Sequence, residues 1–253
     1  LKDFFDSQGI PERLVNVSFS GQSVIMRYVV LPQMTSLELK STMQFEARQH
    51  IPFPLDETIL DCAILKEKID NNKMLVVLAA IKKTALDERI TLIDKAGLSV
   101  KIIDVDCFCL ANVFAHACPS LHDTADTAKA RTIALLNIGA RYTNMAIMED
   151  DCLRFSRDIA FGGQEQALPG LASEINSSFD YFENQNGKPI EKIYISGGAS
   201  LDADIAGSLS RYLNISASHF EVFSGLKVDP SLNQEEFKPK SGLFAIALGL
   251  ALR

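Results

Sequence analysis

Residues 132–148 read TIALLNIGARYTNMAIM, two apolar runs separated by Gly139, Ala140, Arg141, Tyr142 and Thr143. Each run reads as a near-continuous apolar strand. A chain that places two such strands next to each other must turn tightly between them, and Gly139 supplies the backbone freedom for that corner. With CLRFSRDIAF following, residues 132–161 are expected to form a meander of three strands. A corner of this composition turns several backbone N–H groups outward together, which outlines a cradle for an anion.

A second glycine corner follows. The segment IEKIYIS (190–196) reads as a strand running into Gly197, Gly198 and Ala199, and the amphipathic stretch Leu201 to Leu213 reads as a helix that Asn214 ends. A strand, a glycine turn and a helix start in succession let a phosphate or a flat ligand reach the backbone and the positive helix end. Between the two corners, the residues after Pro169-Gly170 read as a helix. Beyond the second come a short strand HFEVF, a polar loop from Ser224 to Lys240 and a C-terminal helix. Each glycine corner also has a plain explanation as a tight turn, and it is their pairing that points to a ligand.

The first half has the same alternation. RLVNVSF (13–19) and SVIMRYVVL (23–31) are β-branched runs around SGQ and predict two strands around a turn. Thr35 with Glu38 three residues later forms a capping-box signature, with Met34 and Leu39 placed as a hydrophobic staple, so a helix is expected to His50. Ile51-Pro52 ends it. TILDCAILKE and MLVVLAAI around DNNK predict a hairpin over 58–81. Thr84 is expected to cap a helix over 85–96, and Gly97 to stop it. SVKIIDVD is another strand. CFCLANVFAHA is apolar on every face, and His116 within it reads as a packed core residue. PSLHDTADTAKA (119–130) has the composition of a surface connection and marks the boundary between two lobes, 1–118 and 131–253.

Composition removes several classes. With a net charge of −7 and no cluster of Lys and Arg, the chain repels phosphodiester backbones, and nucleic acid is excluded as a partner. The longest apolar runs fall short of the ~18–20 residues of a membrane span, so direct membrane insertion is not expected. Five cysteines without CxxC spacing indicate reduced thiols, neither a metal site nor a disulfide framework, and a cytoplasmic setting.

Taken together, the segments resemble the actin-like ATPase superfamily. NIGARYT looks like its second phosphate hairpin, IYISGGAS like its adenosine motif, and IIDVDCFCLANVF and LFAIALGLAL like its two interlobe helices. Within it, the phrasing resembles the PilM family of type IV pilus assembly, with FtsA more distant. VIMRYVVLPQMTSLELKSTMQFEARQHIPFPLDETILDCAIL carries most of the likeness, and QHIPFPLDE is its most specific phrase. The resemblance implies an α/β fold of two ribonuclease-H-like lobes with an FtsA-type inserted subdomain at about 29–98. It implies ATP or ADP with magnesium at Asn137, Gly139, Ala140, Arg141, Tyr142, Thr143, Gly197, Gly198 and Ala199. It also implies a partner, the cytoplasmic tail of a PilN-like inner-membrane protein, received beside the inserted subdomain with Arg48, Ile51 and Phe53 as candidate contacts. The protein would then lie in the cytoplasm, peripheral to the inner membrane.

This sequence departs from the superfamily pattern in three ways. It carries no Asp-x-Gly hairpin on the opening strands, and because it starts at Leu1 the expectation is a trimmed protein; without that hairpin ATP loses half its site. The stretch 163–171 is short for the family. Asn137 stands where hydrolysing relatives carry Asp, and an amide is a poorer partner for a magnesium-bound water, so at most a weak ATPase is expected. No residue is assigned a catalytic role. Two alternatives are a phosphotransfer enzyme of the sugar-kinase kind, with Asp104 or Asp106 as general base, and a nucleotide-free scaffold like the type II secretion L protein.

Overall fold

The computed structural model describes residues 1–117, 132–149, 152–164, 167–229 and 234–253, which form two compact units, Leu1–Val105 and Asp106–Arg253. The connection expected at 119–130, with His122, lies outside the described residues.

The first unit opens with a short helix α1 (Lys2–Ser7) and strand β1 (Leu14–Phe19). Strand β2 (Val24–Pro32) follows a 3₁₀ turn whose Gly21 has φ +76°. The two strands do not pair with each other. β1 runs parallel to β5 (Ser99–Val105), whereas β2 enters a separate three-stranded antiparallel sheet. That sheet has the order β2-β4-β3, with β3 (Thr58–Ile69) and β4 (Lys73–Lys82) forming the expected hairpin.

Helix α2 (Ser36–His50) covers one face of this sheet. Thr35 accepts from the Glu38 N–H while the Glu38 carboxylate accepts from the Thr35 N–H at 2.7 Å, so the capping box forms as read. These hydrogen bonds hold the exposed Glu38 carboxyl below its usual range, so the box is complete at neutral pH and weakens as acid protonates it. Leu39, Met43 and Ala47, spaced by four, form the buried stripe of the helix. The first two pack with Val29, Leu31, Met74, Val76 and Leu78, and Met34 joins them as the staple. Ala47 packs with Ile51 and Ala80.

Helix α3 (Lys83–Lys95) begins one residue before Thr84, so Thr84 lies inside the helix and does not cap it. Its other end matches the reading in full. Gly97 has φ +74°, its N–H donates to the Asp94 carbonyl and the Leu98 N–H donates to Ile93, a Schellman closure with Ile93 and Leu98 both buried.

The second unit begins at helix α4 (Asp106–Ala117), which the sequence reading gave to the first lobe. It packs on the central sheet and on the C-terminal helix. Its buried side chains are Cys107, Cys109, Leu110, Ala111, Val113, Phe114 and Ala117, while Ala115 and His116 are exposed. His116 is therefore a surface residue, because a helix lying on a sheet leaves one stripe to water, here the stripe of Asn112, Ala115 and His116.

The sheet contains β6 (Thr132–Ile138), β7 (Thr143–Glu149), β8 (Cys152–Ile159), β9 (Lys192–Ser196) and β10 (Ala217–His219), in the order β10-β9-β6-β7-β8. β6, β7 and β8 form the antiparallel meander, and β9 and β10 add in parallel on the other side of β6. Three antiparallel strands followed by two parallel ones is the ribonuclease-H-like order. Helix α5 (Leu168–Asn186) and helix α6 (Ile205–Leu213) cover one face through Leu171, Ile175, Phe179, Phe182 and Leu209. On the other face Phe114 of α4 meets Tyr194 and Phe220, with ring centroids 5.3 and 5.6 Å away. β6 is consequently buried along almost its whole length.

Three expected boundaries shift. The helix read from Leu201 is a 3₁₀ turn (Gly198–Leu201) followed by α6, which Asn214 closes at φ +53°. The strand read as HFEVF is Ala217–His219, because pairing with β9 ends at His219 and Phe220 and Val222 turn inward. The region before the last helix includes α7 (Gln234–Phe237) and a 3₁₀ segment Lys238–Phe244, which leads into α8 (Ala245–Ala251).

α8 crosses α4 at Gly249, where an added Cβ would overlap the Cys109 carbonyl group. Gly249→Ala should therefore destabilise the protein by about 1–3 kcal/mol, as expected for overpacking. Gly207→Ala, inside α6 with nothing within 4 Å of the new Cβ, should instead stabilise it by about 0.5–1 kcal/mol. Urea denaturation of the two variants checks the opposite signs.

Candidate functional site

At one end of the second sheet three glycine segments converge. The first is the corner between β6 and β7, closed by a hydrogen bond from the Gly139 N–H to the Tyr142 carbonyl at 2.9 Å. Ala140, Arg141 and Tyr142 are exposed, and no carbonyl among the described residues accepts their N–H groups. The second segment is Gly197, Gly198 and Ala199, at the junction of β9 and the 3₁₀ turn. Gly197 has φ +86°, and a Cβ there would lie 2.6 Å from the Ile138 carbonyl oxygen and 2.8 Å from Asn137 Oδ1. Gly198 is exposed with open space where a side chain would stand. The N–H groups of Gly198 and Ala199 are likewise accepted by no carbonyl among the described residues.

The third segment, Gly162-Gly163 after β8, escaped the sequence reading. The Gly163 N–H donates to the Gly139 carbonyl at 3.0 Å. A Cβ on Gly162 would overlap Ala140, and one on Gly163 would overlap the Ala199 side chain. Gly163 therefore lies between the other two corners. The doubled glycine in IAFGGQ was the available signal. The same holds for Gly242, whose carbonyl accepts from the Gly197 N–H at 2.9 Å and whose own Cβ would overlap Ser200 Oγ.

Beneath the corners runs a row of polar side chains at paired positions on four strands: Ser196, Asn137, Asn144 and Asp158. Ser196 Oγ donates to Asn137 Oδ1 at 3.3 Å, Asn137 Nδ2 to Asn144 Oδ1 at 3.1 Å, and Asn144 Nδ2 to Asp158 Oδ1 at 2.7 Å. Asn137 thus serves as the link between β9 and β7. Thr143 is fully buried and its hydroxyl donates to the Phe161 carbonyl at 2.9 Å, so that side chain holds the segment after β8 and is not offered to a ligand.

The groups nominated in the first unit are placed differently. Ile51 is buried in the core of the three-stranded sheet. Phe53 is half-buried, with the Lys82 ammonium 4.3 Å from its ring centre, and Arg48 is exposed. Two side chains on the outer face of α2 were missed by the sequence reading: Leu37 is 80% exposed and Phe45 67%. Asp104 Oδ1 accepts from the Val105 N–H, and Asp106 is the first residue of α4. Among the described residues no group of three or more His, Cys, Asp or Glu could hold a metal ion, Cys62, Cys107, Cys109 and Cys152 form no disulfide, and no helix is long and apolar enough to cross a membrane.

Comparison with known proteins agrees with this architecture. The family model for the type IV pilus assembly protein PilM matches residues 1–169 and 168–253. The chain is similar to the solved PilM-PilN type IV pilus biogenesis complex, with a TM-score of 0.86 and 24% identity over 100% of this chain and 82% of that one. It is also similar to the cytoplasmic domain of EpsL, an inner membrane component of the type II secretion system of Vibrio cholerae, with a TM-score of 0.51 and 12% identity over 99% and 79% of the two chains. The shared architecture is the actin-like ATPase fold. Matched along its whole length and carrying the ribonuclease-H-like strand order, the chain belongs to the PilM family of type IV pilus assembly proteins.

Proposed function

We propose that this chain is an actin-like nucleotide-binding scaffold of the type IV pilus inner-membrane assembly platform, and that it receives the cytoplasmic tail of a PilN-like membrane protein. The observation that carries the reading is the PilM family match from the first residue to the last, next to a fold shared with a PilM-PilN complex. The protein would sit in the cytoplasm and reach the inner membrane through its partner. A phosphotransfer enzyme is not favoured, since the family match along the chain is to a pilus assembly protein.

The three corners suit ATP or ADP. The N–H groups of Ala140, Arg141, Tyr142, Gly198 and Ala199 are available for phosphate oxygens, and Gly198 leaves room for a flat group to approach the backbone. Magnesium would arrive on the phosphates, keeping most of its water shell. Asn137 and Thr143 support the corner from below. With an amide at 137 in place of a carboxylate, binding without efficient turnover is the expected behaviour. Gly198→Val should weaken ATP and ADP binding at least tenfold, about 1.4 kcal/mol, with the melting temperature unchanged, because its Cβ meets no protein atom. Equal affinity in the folded variant would remove the adenosine assignment.

The partner surface is proposed beside α2, where Arg48 and Phe53 lie at the end of the helix and Leu37 and Phe45 expose apolar area that the monomer leaves uncovered. Pro52 and Pro54 stiffen the segment and remove two backbone donors, so little order remains to be imposed on docking. Ile51 contributes from below by anchoring the segment to the core. Calorimetric titration of a PilN-like tail peptide should show a loss of at least ~1 kcal/mol for the pair Arg48→Ala and Phe53→Ala. A loss that merely follows unfolding returns the segment to core packing.

A further inference from the structure

The polar row beneath the corners has a direction. Asp158 can only accept, so Asn144 must turn its Nδ2 toward β8 and its Oδ1 toward β6; Asn137 must then donate to Asn144, and its own Oδ1 is left to accept from Ser196. Asn144 is 6% exposed and Ser196 1%, while Asn137 is half-buried and Asp158 is exposed at the sheet edge, so it is at Asn144, in the middle of the row, that an acceptor facing an acceptor meets little water. An amide placed between two strands offers nitrogen to one side and oxygen to the other, never nitrogen to both.

We infer that Asp158 is a positioning residue: by accepting from Asn144 it sets the direction of hydrogen bonding along the row, and so excludes a carboxylate from position 137 at the base of the Gly139 corner. The row holds one carboxylate, at its outer end. The base of the corner stays neutral where a magnesium-bearing phosphate would approach, and the inference rests in that respect on the proposed nucleotide site. Exchanging the two ends reverses the row without breaking it. With a carboxylate at position 137 and an amide at position 158, Asn144 turns over. The carboxylate then accepts from both Asn144 and Ser196, and the amide on β8 donates to Asn144.

The test is a double-mutant cycle on the whole chain with Asn137→Asp, Asp158→Asn and both together. Chemical denaturation at neutral pH should show Asn137→Asp raising the unfolding constant about tenfold more in the native background than in the Asp158→Asn background. Additive effects overturn the inference. In parallel, ADP affinity is measured with and without magnesium. The gain that magnesium brings should be about tenfold larger in the double variant than in the native protein, because a carboxylate then stands under the phosphates. An unchanged magnesium effect with non-additive stability assigns Asp158 to the fold alone and overturns its role at the site. Absence of ADP binding by the native protein overturns the nucleotide reading itself, and additivity by itself then decides the direction of the row.

Discussion

Gly197 passes so close to β6 that a Cβ would stand 2.6 Å from the Ile138 carbonyl, and Gly162 and Gly163 press equally closely on Ala140 and Ala199. The loop end of the second unit depends on this approach of backbone to backbone. It is possible because β6 is hydrogen-bonded on both edges and buried on both faces, so its end is held in place before any loop leaves it. Glycine then lets three chain segments share a space in which side chains would compete. N–H groups that would otherwise be covered by side chains remain reachable from one direction.

Features that depend on neighbours in sequence could be read beforehand. The Thr35–Glu38 box, the hairpin over 58–81, the Gly97 stop and the meander from Thr132 all follow from residues within a few positions of each other. Pairing between distant segments could not. β1 and β2 read as neighbours around a turn, yet β-branched residues carry no record of which strand they will join, and the two enter different sheets. Thr84 had the chemistry of a cap, but the chain had already become helical at Lys83.

The site divides along the same line. Gly139 and Gly197 announce themselves because a glycine between an apolar run and a polar or helical one has few other uses. Gly163 matters for what lies across from it, Gly139 and Ala199, and neither is near in sequence. Ser196, Asn137, Asn144 and Asp158 look like four unrelated polar residues until the strand register places them side by side. Ile51, attractive as a contact because it sits in a proline-framed motif, is buried because α2 needs an apolar residue to close its last turn against Ala80.

The second sheet ends at β8, whose outer side has no further strand among the described residues. That strand carries Arg154, paired with Glu149 at 3.1 Å, and Arg157, paired with Glu174 at 2.7 Å, and its register with β7 slips between Ile147 and Met148. Charged side chains and an irregular register are poor templates for another strand. Copies gathered at high local density on a surface would therefore stay discrete along this edge, where a flat apolar one would invite them to add end upon end into a continuous sheet.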